Sequence, residues 1–442
     1  MGRISLKYDY YLFDFDGTVA DTGEGIRKSV AYAMEQLGYE VPDEAGLNRF
    51  IGPPLHDIFM ETCGITAEEA GRAIEVYRSR YLVTGLYESF LYPGIGQLLR
   101  ALHDRGAYVA LASAKPQIMI ERLIAHFGID RYIDAVSGTT LSRHSADKRD
   151  LLMAALPAGA DPTRACMVGD RIFDIEAARA LGMYAVGAGY GYCVPGELDG
   201  ADTVCSDMAS LTRCLLDGEM PPGLFVSMEG SDGCGKSTQI ARLKADLERR
   251  GFETVLTREP GGCPISEHIR EIILSLESRG MSAECEALLY AASRVELVRE
   301  VIEPALKSGK IVICDRFLDS SIAYQAYGRE LGEPFIRQIN AAASSRVFPD
   351  VTLLLEVDRE KAKRRMADGA PPDRLEIEKE DFFARVRKGY DALKAAEPAR
   401  IVPIDAGRSI EEVFVDVRSA VDAALERADP TSRITKAGDK EV

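Results

Sequence analysis

The chain has 442 residues, more than one hydrophobic core usually organises, so two domains are expected. A hydrophobic fraction of 46% with 28% charged residues excludes a disordered chain. The net charge of −16 argues against a nucleic-acid or membrane-surface binder, because polyanionic surfaces recruit excess Lys and Arg. Nine cysteines without a C-x-x-C pair favour reduced thiols in a cytoplasmic protein over disulfides or a zinc site. No apolar run has the length of a membrane span, so none is expected.

Short apolar runs alternate with segments of helical period along the chain, which is the pattern of parallel α/β sheets. In the first half this pattern predicts four strands, over residues 10–16, 108–113, 166–170 and 184–187. A helical segment of about residues 22–92 interrupts the alternation after the first strand. Residues 1–217 are therefore predicted to form one α/β domain with a helical insertion.

Two aspartates, Asp14 and Asp16, end the first predicted strand. Residues two apart in a strand share a face, so both carboxylates are expected to point into one space. One can attack phosphorus to form an aspartyl phosphate, while the other protonates the leaving oxygen and later activates water. A group of acids also calls for a divalent cation, and Asp170 and Asp174 follow a later strand as further ligands.

These aspartates, the run LASAKP at residues 111–116 and Lys148 occur in an order that resembles the haloacid dehalogenase-like phosphatases. The similarity is greatest to their phosphoglycolate phosphatase and nucleotidase branch. It implies a Rossmann-like core with a helical cap at 22–92, which includes the run FIGPP at 50–54. It implies that Asp14 is the nucleophile and Asp16 the general acid/base. Ser113 would bind the phosphoryl group, and Lys148 would stabilise its charge. The Mg²⁺ ligands it implies are Asp14, Asp16, Asp170 and Asp174.

The substrate of this first domain stays open, because the composition of the cap does not specify a ligand. A small phosphomonoester is expected, either a nucleoside monophosphate or phosphoglycolate. Ser113 or Lys148 taken alone would be an ordinary surface polar residue. A rival hypothesis makes the whole first half a non-catalytic binding or dimerisation module.

A run rich in proline and glycine, residues 218–222, is predicted to be a linker between the two halves. The second domain, residues 223–427, is predicted to be another parallel α/β sheet. Its five strands are expected over residues 224–228, 253–257, 311–315, 351–357 and 401–404. The polar tail, residues 428–442, has no apolar period and is predicted to be frayed.

Residues 230–237 follow the first of these strands, precede a helix and match the phosphate-binding pattern G-x-x-x-x-G-K-[ST]. Glycines let backbone N–H groups face phosphate oxygens, and the helix N-terminus adds positive potential. Lys236 would reach the outer phosphates of a nucleoside triphosphate, and Ser237 would hold Mg²⁺. The loop alone does not separate a kinase from a GTPase or an ATPase. A chance glycine-rich turn is the alternative, which the strand–loop–helix order disfavours. The nucleotide-binding residues are predicted to be Gly230, Ser231, Asp232, Gly233, Cys234, Gly235, Lys236, Ser237 and Thr238.

Charged side chains also end two other predicted strands of this domain. Arg258 follows one strand, and Asp315 and Arg316 end another, at the sheet edge where anionic ligands gather in open α/β folds. Asp315 could orient Mg²⁺, and the guanidinium fork of Arg316 could hold a phosphate. These residues are thus candidates to bind a phosphate group at this sheet edge.

Six motifs in this half, EGSDGCGKST, TREPGG, LLYAASR, CDRFLDSSIAYQ, YGRELG and DRLE, closely resemble bacterial thymidylate kinases, with a P-loop nucleoside monophosphate kinase fold. The resemblance implies ATP and dTMP as substrates. It places the acceptor phosphate on Arg258 and Arg316, the thymine ring on Tyr290 and its carbonyl edge on Arg294. The pocket around the base and sugar would be completed by Asp232, Ser320, Ser321, Tyr324 and Gln325.

Family members without an arginine in the phosphate loop supply it from a lid, and this loop has none. The lid arginines are Arg364, Arg365 and Arg374, of which Arg374 is predicted as catalytic together with Lys236, Arg258, Asp315 and Arg316. Which lid arginine acts is left open, and Arg364-Arg365 could be a solvated helix face. Tyr290 could likewise be a core residue of an apolar helix stripe. A different monophosphate acceptor remains a rival, and the resemblance implies a homodimer.

Overall fold

The structure is a computed structural model that describes residues 6–52, 55–141, 147–366, 374–375 and 377–427. The predicted tail at 428–442, Pro53 and Pro54 of the cap motif, and Asp373 and Glu376 of the lid motif lie outside the described residues. The chain divides into two compact units. These are Met1–Met220 with Arg249–Phe252, and Pro221–Glu248 with Glu253–Val442.

The first unit is built on a parallel sheet of six strands in the order β5-β4-β1-β6-β7-β8. A short antiparallel pair, β2 and β3, lies apart from it. The strands are β1 (Tyr10–Phe13), β2 (Ala20–Asp21), β3 (Phe90–Leu91), β4 (Tyr108–Pro116), β5 (Ala135–Thr139), β6 (Ala165–Gly169), β7 (Tyr184–Ala188) and β8 (Thr203–Cys205).

The helices of this unit fall into two groups. Four lie in the insertion after β2: α1 (Gly23–Leu37), α2 (Glu44–Asn48), α3 (Leu55–Cys63) and α4 (Ala67–Tyr81). Five others connect or follow the sheet strands: α5 (Ile95–Asp104), α6 (Gln117–Phe127), α7 (Lys148–Ala155), α8 (Ile172–Ala180) and α9 (Met208–Leu215). Short 3₁₀ turns occur at Gly85–Tyr87, Asp130–Tyr132 and Pro162–Arg164.

The central strand β1 supplies side chains to both faces of its sheet. Tyr11 and Phe13 pack into one hydrophobic core, and Leu12 packs into another. Alternation along a strand produces this division, and helices cover both faces as expected for a parallel sheet. The carboxyl ends of β1, β4 and β6 consequently meet at one edge.

The second unit contains a parallel sheet of five strands in the order β10-β11-β9-β12-β13. Its strands are β9 (Leu224–Gly230), β10 (Thr254–Arg258), β11 (Ile311–Asp315), β12 (Val351–Glu356) and β13 (Ile401–Asp405). Its helices are α10 (Lys236–Arg249), α11 (Pro264–Leu274), α12 (Ala283–Leu297), α13 (Glu303–Lys307), α14 (Leu318–Ser321), α15 (Glu333–Ile339), α16 (Ala341–Ser344), α17 (Arg359–Met366), α18 (Glu380–Ala396) and α19 (Ile410–Arg427). A 3₁₀ turn occurs at Leu276–Ser278, and π-helical turns at Val298–Ile302 and Ile322–Gly328.

The predicted fold class, two parallel α/β domains of which the first carries a helical insertion, is confirmed. All nine predicted strands occur within a few residues of their expected ends, whereas β5, β8 and the β2–β3 pair were not predicted. The missed strands are short and carry little apolar alternation. Among the helices of the described ranges, none has the length and apolarity that a membrane crossing needs.

Candidate active sites

Three buried carboxylates converge at the carboxyl edge of the first sheet. Asp14 follows β1, Asp170 follows β6, and Asp174 lies in the first turn of α8. Because β1 and β6 pair in parallel, with Phe13 opposite Val168, these two strand ends bring their aspartates together. One oxygen from each of the three carboxylates lies within 4.8 Å of the others. Oxygen donors of this kind fit a hard divalent cation such as Mg²⁺.

Lys148, the first residue of α7, joins this cluster. Its Nζ lies 2.6 Å from Oδ1 of both Asp14 and Asp174. Burial raises the pKa of Asp14 to about 6; Lys148 opposes the rise and Asp174 adds to it. Burial and the neighbouring Asp14 likewise raise the pKa of Asp170 well above its usual value. Three acids with one buried lysine leave an excess of negative charge, which supports the fit to a cation.

Asp16, predicted as a fourth metal ligand, has different hydrogen-bond partners from the three clustered aspartates. Both of its carboxylate oxygens accept from Lys115 Nζ, at 3.0 and 3.2 Å, and Oδ1 also accepts from Thr22 Oγ1 at 2.7 Å. Lys115 in turn donates to the hydroxyl of Tyr81, on α4, at 2.7 Å. A backbone turn at Gly17, with φ of +82°, follows Asp16. Asp16 thus shares the cavity with Asp14 without joining its carboxylate cluster.

Ser113 is buried on β4 and lines this same cavity of about 640 Å³. Its Oγ accepts a long hydrogen bond, 3.4 Å, from the backbone N–H of Lys115. Side chains of the helical insertion also line this cavity, among them Phe50, Ile74 and Tyr77. Sequence reasoning missed Lys115, although its place two residues after Ser113 on one strand put it on the same face.

The glycine-rich loop of the second unit runs from the end of β9 to the start of α10. Gly230, Gly233 and Gly235 all adopt positive φ, of +133°, +74° and +100°. A Cβ at Gly230 would lie 2.4 Å from the carbonyl oxygen of Leu355, so this close approach requires glycine. Lys236 Nζ donates to the carbonyl oxygens of Gly230 and Ser231, both at 3.2 Å. The loop therefore encircles its own lysine at the N-terminus of a 14-residue helix.

A cavity of about 800 Å³ extends from this loop across the sheet edge. It brings together the loop residues 232–238 and the other predicted ligand-binding residues, apart from Gly230, Ser231 and Arg374. These are Arg258, Tyr290, Arg294, Asp315, Arg316, Ser320, Ser321, Tyr324 and Gln325. One oxygen of Asp315, Oδ1, is buried and has no hydrogen-bond partner among the described residues, which fits a cation ligand.

Arg316 has the left-handed backbone conformation, with φ of +70°, directly after β11. Its guanidinium donates to Asp232 Oδ1 at 2.6 Å and to Ser320 Oγ at 3.2 Å, and it lies 5.3 Å from the ring centre of Tyr324. Burial acts to raise the pKa of Asp232, but Arg316 and Lys236 outweigh it and leave the pKa below its usual value. The phosphate loop and the predicted acceptor site are thus joined by an ion pair.

Glu229, the residue before Gly230, was missed by sequence reasoning. Its buried carboxylate accepts from Phe317 N at 2.7 Å, Ser320 Oγ at 2.5 Å and Tyr390 Oη at 3.0 Å. Burial raises its pKa. An acid inside a buried strand, next to the first glycine of the loop, was the sequence signal that could have identified it.

Arg294 is held on α12 by a dense set of acceptors. Its Nε and Nη2 donate to Glu259 Oε2 at 2.8 and 2.5 Å, Nη2 also donates to Ser321 Oγ at 3.0 Å, and Nη1 donates to Asn340 Oδ1. Burial raises the pKa of Glu259 to about 7, against the opposing effect of Arg294. Arg258, by contrast, is half exposed and pairs with Glu267 at 3.0 Å.

The two described ends of the lid segment differ in their partners. Arg374, predicted as catalytic, is buried away from the phosphate loop, donating to Glu286 Oε2 at 2.7 Å and Ile273 O at 2.8 Å. A buried guanidinium requires an acidic partner, and Glu286 supplies it for Arg374. Arg365 on α17 instead reaches the loop: its Nη1 donates to Cys234 O at 3.3 Å and its Nη2 to Ala406 O at 3.1 Å.

Comparisons with known proteins match each half separately. The family model for thymidylate kinase matches residues 228–417, and that for haloacid dehalogenase-like hydrolase matches residues 11–188. A thymidylate kinase of Pelotomaculum thermopropionicum is 47% identical over 205 residues, which cover 46% of this chain and 95% of that protein. The corresponding protein of Deinococcus radiodurans is 44% identical over 206 residues, 46% of this chain and 98% of its own.

A solved structure described as a predicted phosphatase from Clostridium acetobutylicum is 35% identical to this chain. The match covers 48% of this chain and all of that one, with a TM-score of 0.46. Both family matches fall on the units that carry the corresponding site residues. The chain therefore belongs to the thymidylate kinase family through its C-terminal half, which is fused to an N-terminal half of the haloacid dehalogenase-like hydrolase family.

Proposed function

We propose that the C-terminal half transfers the γ-phosphoryl group of ATP to dTMP, giving dTDP and ADP. The observation that carries this proposal is the single cavity that joins the phosphate loop to Arg316, Arg294 and Tyr290. A triphosphate on the loop and a monophosphate on Arg316 would meet in that cavity. The relatives named thymidylate kinase support the choice of a thymidine nucleotide as acceptor.

The donor side is built for a triphosphate with its metal. Loop N–H groups and the N-terminus of α10 would bind phosphate oxygens, and Lys236 would exchange its present carbonyl partners for them. Ser237 and Asp315 would hold Mg²⁺, which neutralises charge on the transferring phosphoryl group when bound. The orphaned oxygen of Asp315 supports this assignment.

The acceptor side would bind the phosphate of the monophosphate through ion pairs and its nucleoside through stacking and close packing. Arg258 and Arg316 would hold the phosphate, with the fork of Arg316 already fixed by Asp232. Tyr290 would stack on the base. Tyr324, packed beneath the guanidinium of Arg316, would crowd the sugar 2′ position and favour deoxyribose.

Steady-state rates on a panel of acceptors test this proposal. With ATP as donor, we expect kcat/KM for dTMP to exceed the values for UMP, CMP and AMP by at least about tenfold, because a ribose hydroxyl or a different base edge loses contacts in the pocket. dUMP should be the nearest competitor, since it lacks only one methyl group. A preference for any ribonucleotide would reject both the substrate assignment and the role given to Tyr324.

Arg365 is our choice for the lid arginine that stabilises the transferring phosphoryl group. It already reaches the phosphate loop, whereas Arg374 is bound by Glu286. We expect Arg365→Ala to lower kcat about 10³-fold with little change in the KM for dTMP. Arg364→Ala is the matched control, because Arg364 is exposed and contacts only the Glu360 carbonyl of its own helix among the described residues. Equal losses in both variants would reject the assignment.

We propose a second activity, phosphomonoester hydrolysis, for the N-terminal half. A carboxylate oxygen of Asp14 would attack phosphorus while the ester P–O bond breaks and Asp16 protonates the leaving oxygen. Water, deprotonated by Asp16, would then attack phosphorus, releasing phosphate and restoring Asp14. Ser113 and Lys148 would bind the phosphoryl oxygens. Asp14, Asp170 and Asp174 would hold Mg²⁺, which supplies charge neutralisation when bound.

The substrate of this half is proposed to be a small phosphomonoester, with nucleoside monophosphates and phosphoglycolate as the two classes to compare. Each catalytic role proposed here has a suitable residue in the cavity, which favours an active enzyme over a non-catalytic module. We further propose functional domains at 1–217 and 223–427, joined by a linker at 218–222, in a cytoplasmic protein. Exposed apolar side chains on α11 and α12, Ile265, Ile272 and Leu288, support a homodimer.

A further inference from the structure

The side-chain amide of Gln325 is oriented by a buried carboxylate. Gln325 lines the nucleotide cavity together with Tyr290 and Arg294. Its Nε2 donates to Glu286 Oε1 at 2.9 Å, and both side chains are almost completely buried. Glu286 lies one turn before Tyr290 on α12, so it approaches Gln325 from behind the cavity wall.

Glu286 is held in its ionised form by its surroundings. Arg329 donates to both of its oxygens, at 3.2 and 3.0 Å, and Arg374 donates to Oε2 at 2.7 Å. Burial acts to raise the pKa of Glu286, but the hydrogen bonds from Arg329, Gln325 and Arg374 outweigh it and leave the pKa below its usual value. An ionised carboxylate can only accept hydrogen bonds, so Gln325 must turn its NH₂ group toward it.

This constraint decides which atom of Gln325 serves the cavity. With one N–H of Nε2 bonded to Glu286, Oε1 lies on the other side of the amide, and it is the atom of this side chain that can accept from a ligand. Arg294 lines the same cavity, with four of its five N–H donors used by Glu259, Ser321 and Asn340. Within the described part of the chain, one N–H on Nη1 is left. The cavity lining therefore offers an acceptor on Gln325 and a donor on Arg294.

A pyrimidine ring with an N–H beside a carbonyl oxygen complements this pair, whereas a cytosine ring offers an unprotonated nitrogen beside an amino group. We propose that Glu286 is a positioning residue for base specificity, which fixes the amide of Gln325 so that a thymine-type edge is accepted and a cytosine-type edge is refused. This inference rests on the proposed kinase function and deepens it. The network explains why a carboxylate is buried behind a site for an anionic substrate.

The test compares kcat and KM for dTMP and dCMP, with ATP and Mg²⁺, in the full-length chain. Glu286→Gln replaces a pure acceptor with an amide that can present either atom to Gln325. We expect the ratio of kcat/KM for dTMP over dCMP to fall about tenfold, mainly through a higher KM for dTMP. Gln325→Met removes the oriented amide and should lower the ratio by a similar factor. The double variant should add no further loss, because both changes break one contact.

Arg385→Met is the control for a purely structural role. It removes two hydrogen bonds to the carbonyl oxygen of Gly328, on the same π-helical turn as Gln325, but leaves the partners of Glu286 in place. In this variant the ratio of kcat/KM for dTMP over dCMP should stay unchanged, even where thermal stability falls. An altered ratio in Arg385→Met, or an unchanged ratio in Gln325→Met or a folded Glu286→Gln, would overturn the inference. Should Glu286→Gln fail to fold, Gln325→Met alone decides. A wild-type chain that does not phosphorylate dTMP would overturn the kinase proposal as well.

Discussion

Replacing Lys236 by Ala is expected to reduce kinase turnover by about 10³-fold or more while leaving hydrolysis of phosphomonoesters unchanged. Lys236 is the one cation enclosed by the glycine-rich loop within the described residues, and its Nζ lies at the carbonyl oxygens of Gly230 and Ser231. Without it, charge developing on the transferring group loses its closest partner. The measurement is a coupled assay of ADP release with dTMP, beside a phosphate-release assay on the same preparation.

Lys244→Ala is the matched control for this experiment. Lys244 lies on the same helix, is partly exposed and pairs with Glu248 at 2.7 Å. Kinase turnover in this variant should stay within about twofold of the wild type, because exposed i,i+4 pairs contribute little. Loss of both activities in a folded Lys236→Ala chain would contradict the independence of the two sites.

Replacing Asp14 by Asn is expected to reduce phosphatase turnover by on the order of 10⁴-fold, because the amide cannot form an acyl phosphate. The change keeps the shape of the side chain, and Asn can still accept from Lys148, which now lies 2.6 Å from Asp14 Oδ1. A chromogenic aryl phosphate, phosphoglycolate and a set of nucleoside monophosphates provide the substrates. Kinase turnover of the same sample should be unaltered.

Asp9→Asn is the control for the phosphatase experiment. Asp9 precedes the same strand, but it is partly exposed and pairs with Arg164 at 2.7 Å, outside the cavity. The phosphatase turnover of Asp9→Asn should match that of the wild-type chain. If the wild-type chain hydrolyses none of these substrates with Mg²⁺ present, the first half is a non-catalytic module, and the rival hypothesis stands.

The sequence was most informative where chemistry is local to a strand end. Asp14, Asp170 and the glycine-rich loop each follow a buried apolar run directly, so their positions at the sheet edge could be predicted without long-range information. The same holds for Arg316 after β11. Strand existence was predicted for the same reason, since the core strands are continuous apolar runs.

Contacts between distant segments could not be predicted in this way. Arg374 and Glu286 are 88 residues apart, and the motif that contains Arg374 gives no sign that a carboxylate on another helix will bind it. Asp16 and Lys115 are 99 residues apart, and their pairing depends on the register between β1 and β4. The role of Glu286 behind Gln325 likewise depends on the packing of α12 against a π-helical turn. Such partners follow from tertiary packing, which overrides local pattern.

The carboxylate of Glu229 has a consequence for engineering this enzyme. It lies at the root of the phosphate loop and accepts hydrogen bonds from both Phe317 N–H and Ser320, which belong to the acceptor side. Together with the ion pair of Arg316 and Asp232, this carboxylate links the loop to the proposed acceptor side, so a change on one side is expected to reach the other. A redesign that displaces Ser320 to admit a bulkier nucleotide is expected to weaken the proposed ATP binding as well. Libraries that vary the pocket should therefore vary residues 227–229 in the same clones.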